Sequence, residues 1–216
     1  MKDVIKTKCP YYNKCDNYVN YGRDNEWCVI KEKRTCINCY HQISEIPRKT
    51  YPKVKEKAVT NHIRKKFAKY NWDCDKIIQG ATNQNRPDMI TTNDNGSIFI
   101  VEIDEGSHKC YKKDDIERLY KIHEDLKKEP TYVFRFNPDN YRKKGERVTS
   151  PWRKNKDKQP VVDNPEDWDY RLKTLSDIIA KPKIRKQLLR DKIIEKEIIN
   201  GNMHVYYLFY DSGHVK

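Results

Sequence analysis

Two groups of residues have the types and spacing to do chemistry. The first is acidic: Asp88 in Asn85-Arg86-Pro87-Asp88, then Glu102 and Asp104 in Ile100-Val101-Glu102-Ile103-Asp104-Glu105. Strand side chains alternate between faces, so Glu102 and Asp104 point the same way, and a hairpin partner strand would carry Asp88 to the same end. Carboxylates held that close repel one another and lose hydration, and an oxygen-preferring divalent cation such as Mg²⁺ or Mn²⁺ compensates both costs. The plainer alternative is that these acids sit on a solvated strand end or pair with some of the many lysines. The second group is thiol-rich: five of the seven cysteines, Cys9, Cys15, Cys28, Cys36 and Cys39, fall in the first 39 residues. Cys9-x5-Cys15 and Cys36-x2-Cys39 form two close pairs separated by 20 residues, the arrangement by which a small module gathers four thiolates around Zn²⁺. Cys28 and His41 remain alternative ligands.

The acidic group needs elements to position it. Ile98 to Ile103 is a run apolar on both faces until Glu102, as expected of a central strand buried on both sides, and Asn93-Asp94-Asn95-Gly96 before it reads as a hairpin turn from a strand containing Met89-Ile90. Ahead of the hairpin, Val54, Ala58, Ile63, Phe67 and Tyr70 recur near the helical period, predicting an amphipathic helix over 54–70. Behind the carboxylates, Ile116, Leu119, Tyr120, His123 and Leu126 predict a second helix, capped by Asp114 or Asp115 and stopped by Pro130. Thr131 to Phe136 reads as a strand. Two further helices are expected, one through Leu172, Leu175 and Ile179, the other through Leu188, Ile194 and Ile198. Gly201-Asn202 then turns the chain into a last strand, 204–210. This order predicts an α/β fold with a mixed sheet flanked by helices. The cysteine-rich stretch precedes it as a separate module, with a zinc-binding unit over 1–48 and the α/β domain over 49–216.

Charge narrows the partner. The 216 residues carry a net charge of +13 and a pI near 9.3, which calls for an anionic partner. The excess is concentrated: between Arg142 and Lys158 eight Lys/Arg stand against two Asp/Glu. This basic loop, 140–159, interleaves Tyr141 and Trp152 with Arg142, Lys143, Lys144, Arg147, Arg153 and Lys154, the composition of a segment that follows a phosphate backbone. Arg118, after the acidic motif, and Arg135, in the following strand, are further phosphate-binding candidates, or partners of nearby acids. No apolar run approaches the roughly 20 residues of a membrane span. The first six residues lack the apolar core of a secretory signal, which predicts a reducing compartment such as cytoplasm or nucleus and argues against a disulfide framework.

Taken in order, Pro87-Asp88, the hairpin and the Glu102 strand, with a helix on either side, resemble the PD-(D/E)xK nuclease superfamily, whose fold is restriction-endonuclease-like. More narrowly, Arg86-Pro87-Asp88 with Val101-Glu102-Ile103-Asp104-Glu105-Gly106-Ser107-His108 resembles the very-short-patch-repair branch, and Arg135-Phe136-Asn137-Pro138-Asp139, Ser150-Pro151-Trp152 and Tyr207-Leu208-Phe209-Tyr210 are similar to a lineage of such nucleases common in large DNA viruses. The resemblance covers about 53–210. It implies that Asp88 and Glu102 bind Mg²⁺, with the backbone carbonyl of Ile103 as a further ligand, and that a virus-infected host cell is one setting. The chain departs from the pattern where a lysine is usual, two residues after Glu102, which here is Asp104. His108, in Glu-x-Asp-x-x-x-His spacing, is a candidate for the proton-transfer role. Glu56 on the first helix is either an additional acid or part of a solvated face.

These readings predict a metal-dependent DNA endonuclease acting on duplex DNA, homing- or restriction-like in its site choice, with a homodimer compatible with double-strand cutting. The alternative is a catalytically inactive, zinc-containing DNA-binding protein on the same scaffold, and a weaker one is a basic packaging protein.

Overall fold

The computed structural model describes residues 53–214 apart from 79, 83–84, 106–111, 128 and 157–158; ahead of residue 53 it describes four short strand segments, and over 112–115 the backbone alone. The chain divides into two compact units, 1–52 and 53–216. In the first, β1 (Lys6–Lys8) pairs antiparallel with β2 (Tyr18–Asn20) and β3 (Val29–Ile30) with β4 (Lys33–Arg34). The proposed zinc ligands Cys9, Cys15, Cys28, Cys36, Cys39 and His41 all lie outside the described residues, as does His108.

The second unit is an α/β protein built on a mixed six-stranded sheet with four helices among its described residues. Its strands are β5 (Asp73–Cys74), β6 (Met89–Thr92), β7 (Ile98–Ile103), β8 (Thr131–Phe136), β13 (Ile194–Ile199) and β14 (Met203–Leu208). Their order is β13-β14-β8-β7-β6-β5. The three central strands β14, β8 and β7 run parallel, while β6 and β13 are antiparallel to their neighbours. The β6–β7 hairpin closes as its turn residues dictate: the Asn93 side chain accepts from the Asn95 and Ser97 N–H groups, 3.0 and 2.9 Å away, and Gly96 takes a φ of +77° that a side chain would strain.

Helix α1 (Val54–Lys66) and α3 (Pro165–Ala180) lie on one face, where Val59, Ile63, Leu172, Leu175 and Ile178 pack with Phe99, Val101, Phe134 and Leu208. Helix α2 (Lys112–Asp125) covers the other, packing Leu119 and Ile122 on Ile100, Val133 and Val205. The chain crosses from β7 through α2 to the parallel neighbour β8, the connection a parallel pair needs. α3 starts on a local signal: Asn164 accepts from the Asp167 N–H, 3.0 Å away, and Pro165 occupies the first turn, where its missing N–H costs nothing.

Three expectations need correction. Asp114 and Asp115 do not cap α2, because the helix already begins at Lys112. The expected fourth helix through Leu188, Ile194 and Ile198 is split: α4 runs Pro182–Arg190, and 194–199 is an edge strand. Lys192, at φ +53°, breaks the helix, and the β-branched Ile194, Ile198 and Ile199 then pair with β14. Third, the segment 140–159 is not an open loop. It begins a pair of two-stranded ribbons, β9 (Tyr141–Lys143) with β10 (Glu146–Val148), and β11 (Trp152–Lys154) with β12 (Pro160–Val162). Lys144 and Gly145, at φ +51° and +88°, make the tight turn between β9 and β10.

Candidate functional site

The C-terminal end of β7 carries the site. In the parallel register Glu102 stands beside Arg135 and Ile103 beside Phe136, so both side chains that follow the apolar run emerge where the central strands end. Glu102 lies on the α2 face with Ile100, and α2 returns Arg118 to it. Arg118 Nη1 and Nη2 donate to Glu102 Oε2 and Oε1 at 3.0 and 3.2 Å, and Nη2 also donates to the Arg86 carbonyl at 2.8 Å. One guanidinium thereby ties the strand to the segment leading into Asp88.

Asp88 ends that segment just before β6. Its Oδ2 accepts from the Ile103 N–H at 2.7 Å, which brings it beside the central strand. Lys53, immediately before α1, places Nζ 4.0 Å from Asp88 Oδ1 and 2.7 Å from Glu56 Oε2. The Glu56 N–H in turn donates to Glu105 Oε1 at 2.5 Å. Lys53, Glu56, Asp88, Glu102, Ile103, Asp104, Glu105 and Arg118 line one cavity of about 370 Å³. Asp88, Glu102, Ile103 and Glu56 thus meet in one place, although they come from three separate elements.

Asp104 lines the same cavity but is engaged elsewhere. Arg135 Nε and Nη2 donate to its Oδ2 and Oδ1 at 2.9 and 2.8 Å, and the Tyr210 hydroxyl donates to Oδ2 as well. Both partners are nearly inaccessible, Asp104 at 4% and Arg135 at 6% exposure. Burying two charges is tolerated because the bidentate fork satisfies both carboxylate oxygens. The three carboxylates meet at this cavity, but Asp104 is a buried half of an ion pair, and of the two roles open to Arg135 the structure shows the acid partner. Among the described residues no three His, Cys, Asp or Glu side chains form a metal-holding cluster.

No family model matches the chain, and comparison with curated proteins and with solved structures gives no match. What the site can do must come from its own electrostatics. Burial raises the Asp88 carboxyl to about 6, against the Ile103 N–H and Lys53, which favour the ionised form. Burial likewise raises Glu102 to about 7, although Arg118 opposes it. With the Asp104–Arg135 pair set aside, the cavity holds Glu56, Asp88, Glu102 and Glu105 against Lys53 and Arg118, two negative charges in excess when all are ionised. A buried and a half-buried carboxylate side by side suit Mg²⁺ or Mn²⁺, which keep several waters and take one or two protein carboxylates. Asp88 and Glu102 are the carboxylates that could hold such a cation, with Glu56 behind them and the Ile103 carbonyl, which accepts from the Glu105 N–H at 3.0 Å, beside them.

The basic segment emerges at the same end of the sheet, since β9 follows β8 after Asn137-Pro138-Asp139. Its base is fixed by Arg171, fully buried on α3, which donates to the Asp139 and Thr149 carbonyls at 3.0 Å each. A second tie joins Lys55 of α1 to Asp139. Arg142, Lys143, Lys144, Arg147, Arg153 and Lys154 are exposed along the ribbons. Trp152 is not: its ring packs edge-on against Trp168, centroids 5.1 Å apart, and serves the core. Sequence reasoning missed Lys53 and Glu105 as cavity residues. Lys53 carried one faint signal, its i, i+3 spacing to Glu56.

Proposed function

We propose that the protein is a Mg²⁺- or Mn²⁺-dependent DNA endonuclease of restriction-endonuclease-like fold. The observation that carries this reading is the convergence of half-buried Asp88 and buried Glu102, both with raised pKa, in an acidic cavity of a strongly basic protein. The order α1, β6–β7 hairpin, α2, β8 around that cavity supports the same fold assignment, because it is the order the sequence resemblance implies. A divalent cation there supplies charge neutralisation at the scissile phosphate and acidifies a water molecule. Asp88 and Glu102 hold it, and the Ile103 N–H fixes the Asp88 carboxylate for that purpose. Arg118 keeps Glu102 oriented and partly ionised at neutral pH. Asp104 and Arg135 lock the strand end. The basic ribbons hold the DNA backbone through charge alone and so contribute affinity without sequence preference. The cysteine pairs of the N-terminal unit bind one Zn²⁺, whose four thiolate donors fit that ion.

A second reading has one specific observation in its favour. Arg118 already gives Glu102 a bidentate cationic partner, which is what a binding protein on an inactive nuclease scaffold would need. Incubation of supercoiled plasmid with the protein and Mg²⁺ or Mn²⁺ separates the two. The nuclease nicks or linearises the plasmid, chelation stops it, and Asp88→Ala and Glu102→Ala abolish it; the inactive scaffold retards the plasmid without cutting.

A further inference from the structure

Three arginines are buried in the described fold, and two have carboxylate partners: Arg135 is held by Asp104 and Arg171 by Asp167. Arg185, on α4, is the exception. It is 7% exposed, forms no ion pair with any described residue, and its Nε–H has no acceptor. Its guanidinium lies 4.9 Å from the Tyr132 ring centroid and 5.7 Å from that of Tyr206, and the Tyr206 hydroxyl is its polar neighbour. Ring faces stabilise a cation but do not neutralise it, and a buried charge without a counter-ion is costly.

The surroundings add positive charge. Lys196 on the edge strand β13 and His204 on β14, both beside Arg185, are held below their ordinary pKa, first by burial and then by the field of the neighbouring cations, Arg185 among them. The His204 ring stacks on Tyr132 with centroids 5.3 Å apart, and its Nδ1 also lacks a partner. Glu195 and Glu197 alternate with Lys196 along β13 and so project to the opposite face. Arg185 lines a cavity of about 420 Å³ that also takes in Tyr70, Phe99, Tyr132 and Pro182 at the start of α4, and its one carboxylate, Asp94, is exposed and already paired with Lys69 of the same lining. That helix has no side-chain cap, since Lys181 carries no acceptor and points its ammonium to Asp177 at 2.9 Å, and the positive end of its dipole lies at this junction. Phe99 and Tyr132 stand near the starts of β7 and β8, whereas Glu102 and Asp104 lie at the other end of β7 and on its other face.

We infer that this cavity is an anion site that binds a phosphate group, with the Arg185 guanidinium as its principal donor. The ligand supplies the missing counter-charge, and the aromatic walls accept the organic part of a phosphate ester. The site is independent of the nuclease assignment and needs no divalent metal.

The test uses the full chain in EDTA at pH 7.5 and constant ionic strength, titrating inorganic phosphate in exchange for chloride while recording arginine Nε–H resonances. The Arg185 signal is assigned by its loss in Arg185→Met, or in Arg185→Lys if the Met variant does not fold. The expected result is a saturable shift of that resonance, a rise in Tm with phosphate beyond that with chloride, and at least a roughly tenfold loss of phosphate affinity on substitution. Asp88→Asn leaves all three unchanged. Competition by a short DNA duplex identifies a nucleic-acid phosphate as the source, and its absence a free phosphate or small ester. An Arg185 resonance that does not move, or a phosphate-induced Tm rise that survives substitution of Arg185, overturns the assignment and leaves Arg185 a packing residue stacked on Tyr132 and Tyr206.

Discussion

Divalent-metal affinity should be strongly pH-dependent in a window the site itself defines. A metal needs both Asp88 and Glu102 as carboxylates, and protons compete for them. With the two groups at about 6 and about 7, Asp88 is roughly half ionised and Glu102 roughly one-tenth ionised at pH 6, so about one molecule in twenty has both charges. At pH 8 nearly all do. Affinity for Mn²⁺ or Mg²⁺ should therefore rise about 20-fold from pH 6 to pH 8, or ~1.8 kcal/mol, and then level off. Binding should release between one and two protons at pH 6, roughly, and almost none at pH 8. Isothermal titration in buffers of different ionisation enthalpy measures affinity and proton release together. The sign for stability follows from the same shifts. Both folded pKa values lie above the unfolded ones, so the contribution of this pair to stability is present below about pH 4 and is lost as pH rises through 6 and 7. His62 and His204, lowered by burial, act in the opposite sense over the same range, so the effect must be read as wild type minus Asp88→Asn. Equal metal affinities at pH 6 and pH 8, or a rise already complete by pH 6, would refute the burial of this carboxylate pair.

Replacing Arg118 by Met removes the cation that holds Glu102 ionised, so Glu102 should titrate higher and the pH midpoint of metal binding should move alkaline in the same titration. Arg135→Met strands the buried Asp104 carboxylate and should cost about 3–5 kcal/mol in denaturant unfolding, while Asp104→Asn, which leaves a neutral acceptor for Arg135 and Tyr210, should cost less. Converting Arg142, Lys143, Lys144 and Arg147 together to Ser should weaken duplex binding and flatten its salt dependence by roughly 3 to 4 in slope, with Tm unchanged because these side chains are exposed. Metal analysis of the purified chain should return about one zinc per molecule; a zinc-free, fully folded protein would remove the N-terminal site from the account.

Much of the fold was legible because its strongest signals are local. The unbroken run from Ile98 to Ile103 and the Asn93–Gly96 turn define a hairpin by themselves, and the Asn164-Pro165 start and the spacing of Leu172, Leu175 and Ile179 define α3. What could not be read depends on long-range pairing. That Arg118 meets Glu102 and Arg135 meets Asp104 follows from the parallel β7–β8 register and the return of α2, and no spacing within either segment reveals it. The apolar residues Leu188, Ile194 and Ile198 match a helical period by accident; only the positive φ at Lys192 and the partner strand β14 make the second half a strand. Lys53 escaped notice because its importance comes from Asp88, 35 positions later in the sequence, arriving beside it. The acidic site was readable as residue types on a strand end, but which arginine each acid meets was not.

Asp88 and Glu102 are what distinguishes the proposed metal-dependent nuclease from a DNA-binding relic. Single-turnover incubation of end-labelled duplex and supercoiled plasmid at pH 8 with Mg²⁺, comparing wild type with Asp88→Asn and Glu102→Gln at matched DNA occupancy, tests this distinction most directly. A metal-dependent nuclease gives phosphodiester cleavage by the wild type, none in EDTA, and a loss of at least roughly a hundredfold in either variant with DNA binding retained. Wild-type protein that binds the duplex and leaves it intact, or variants that cut as fast as wild type, would contradict it.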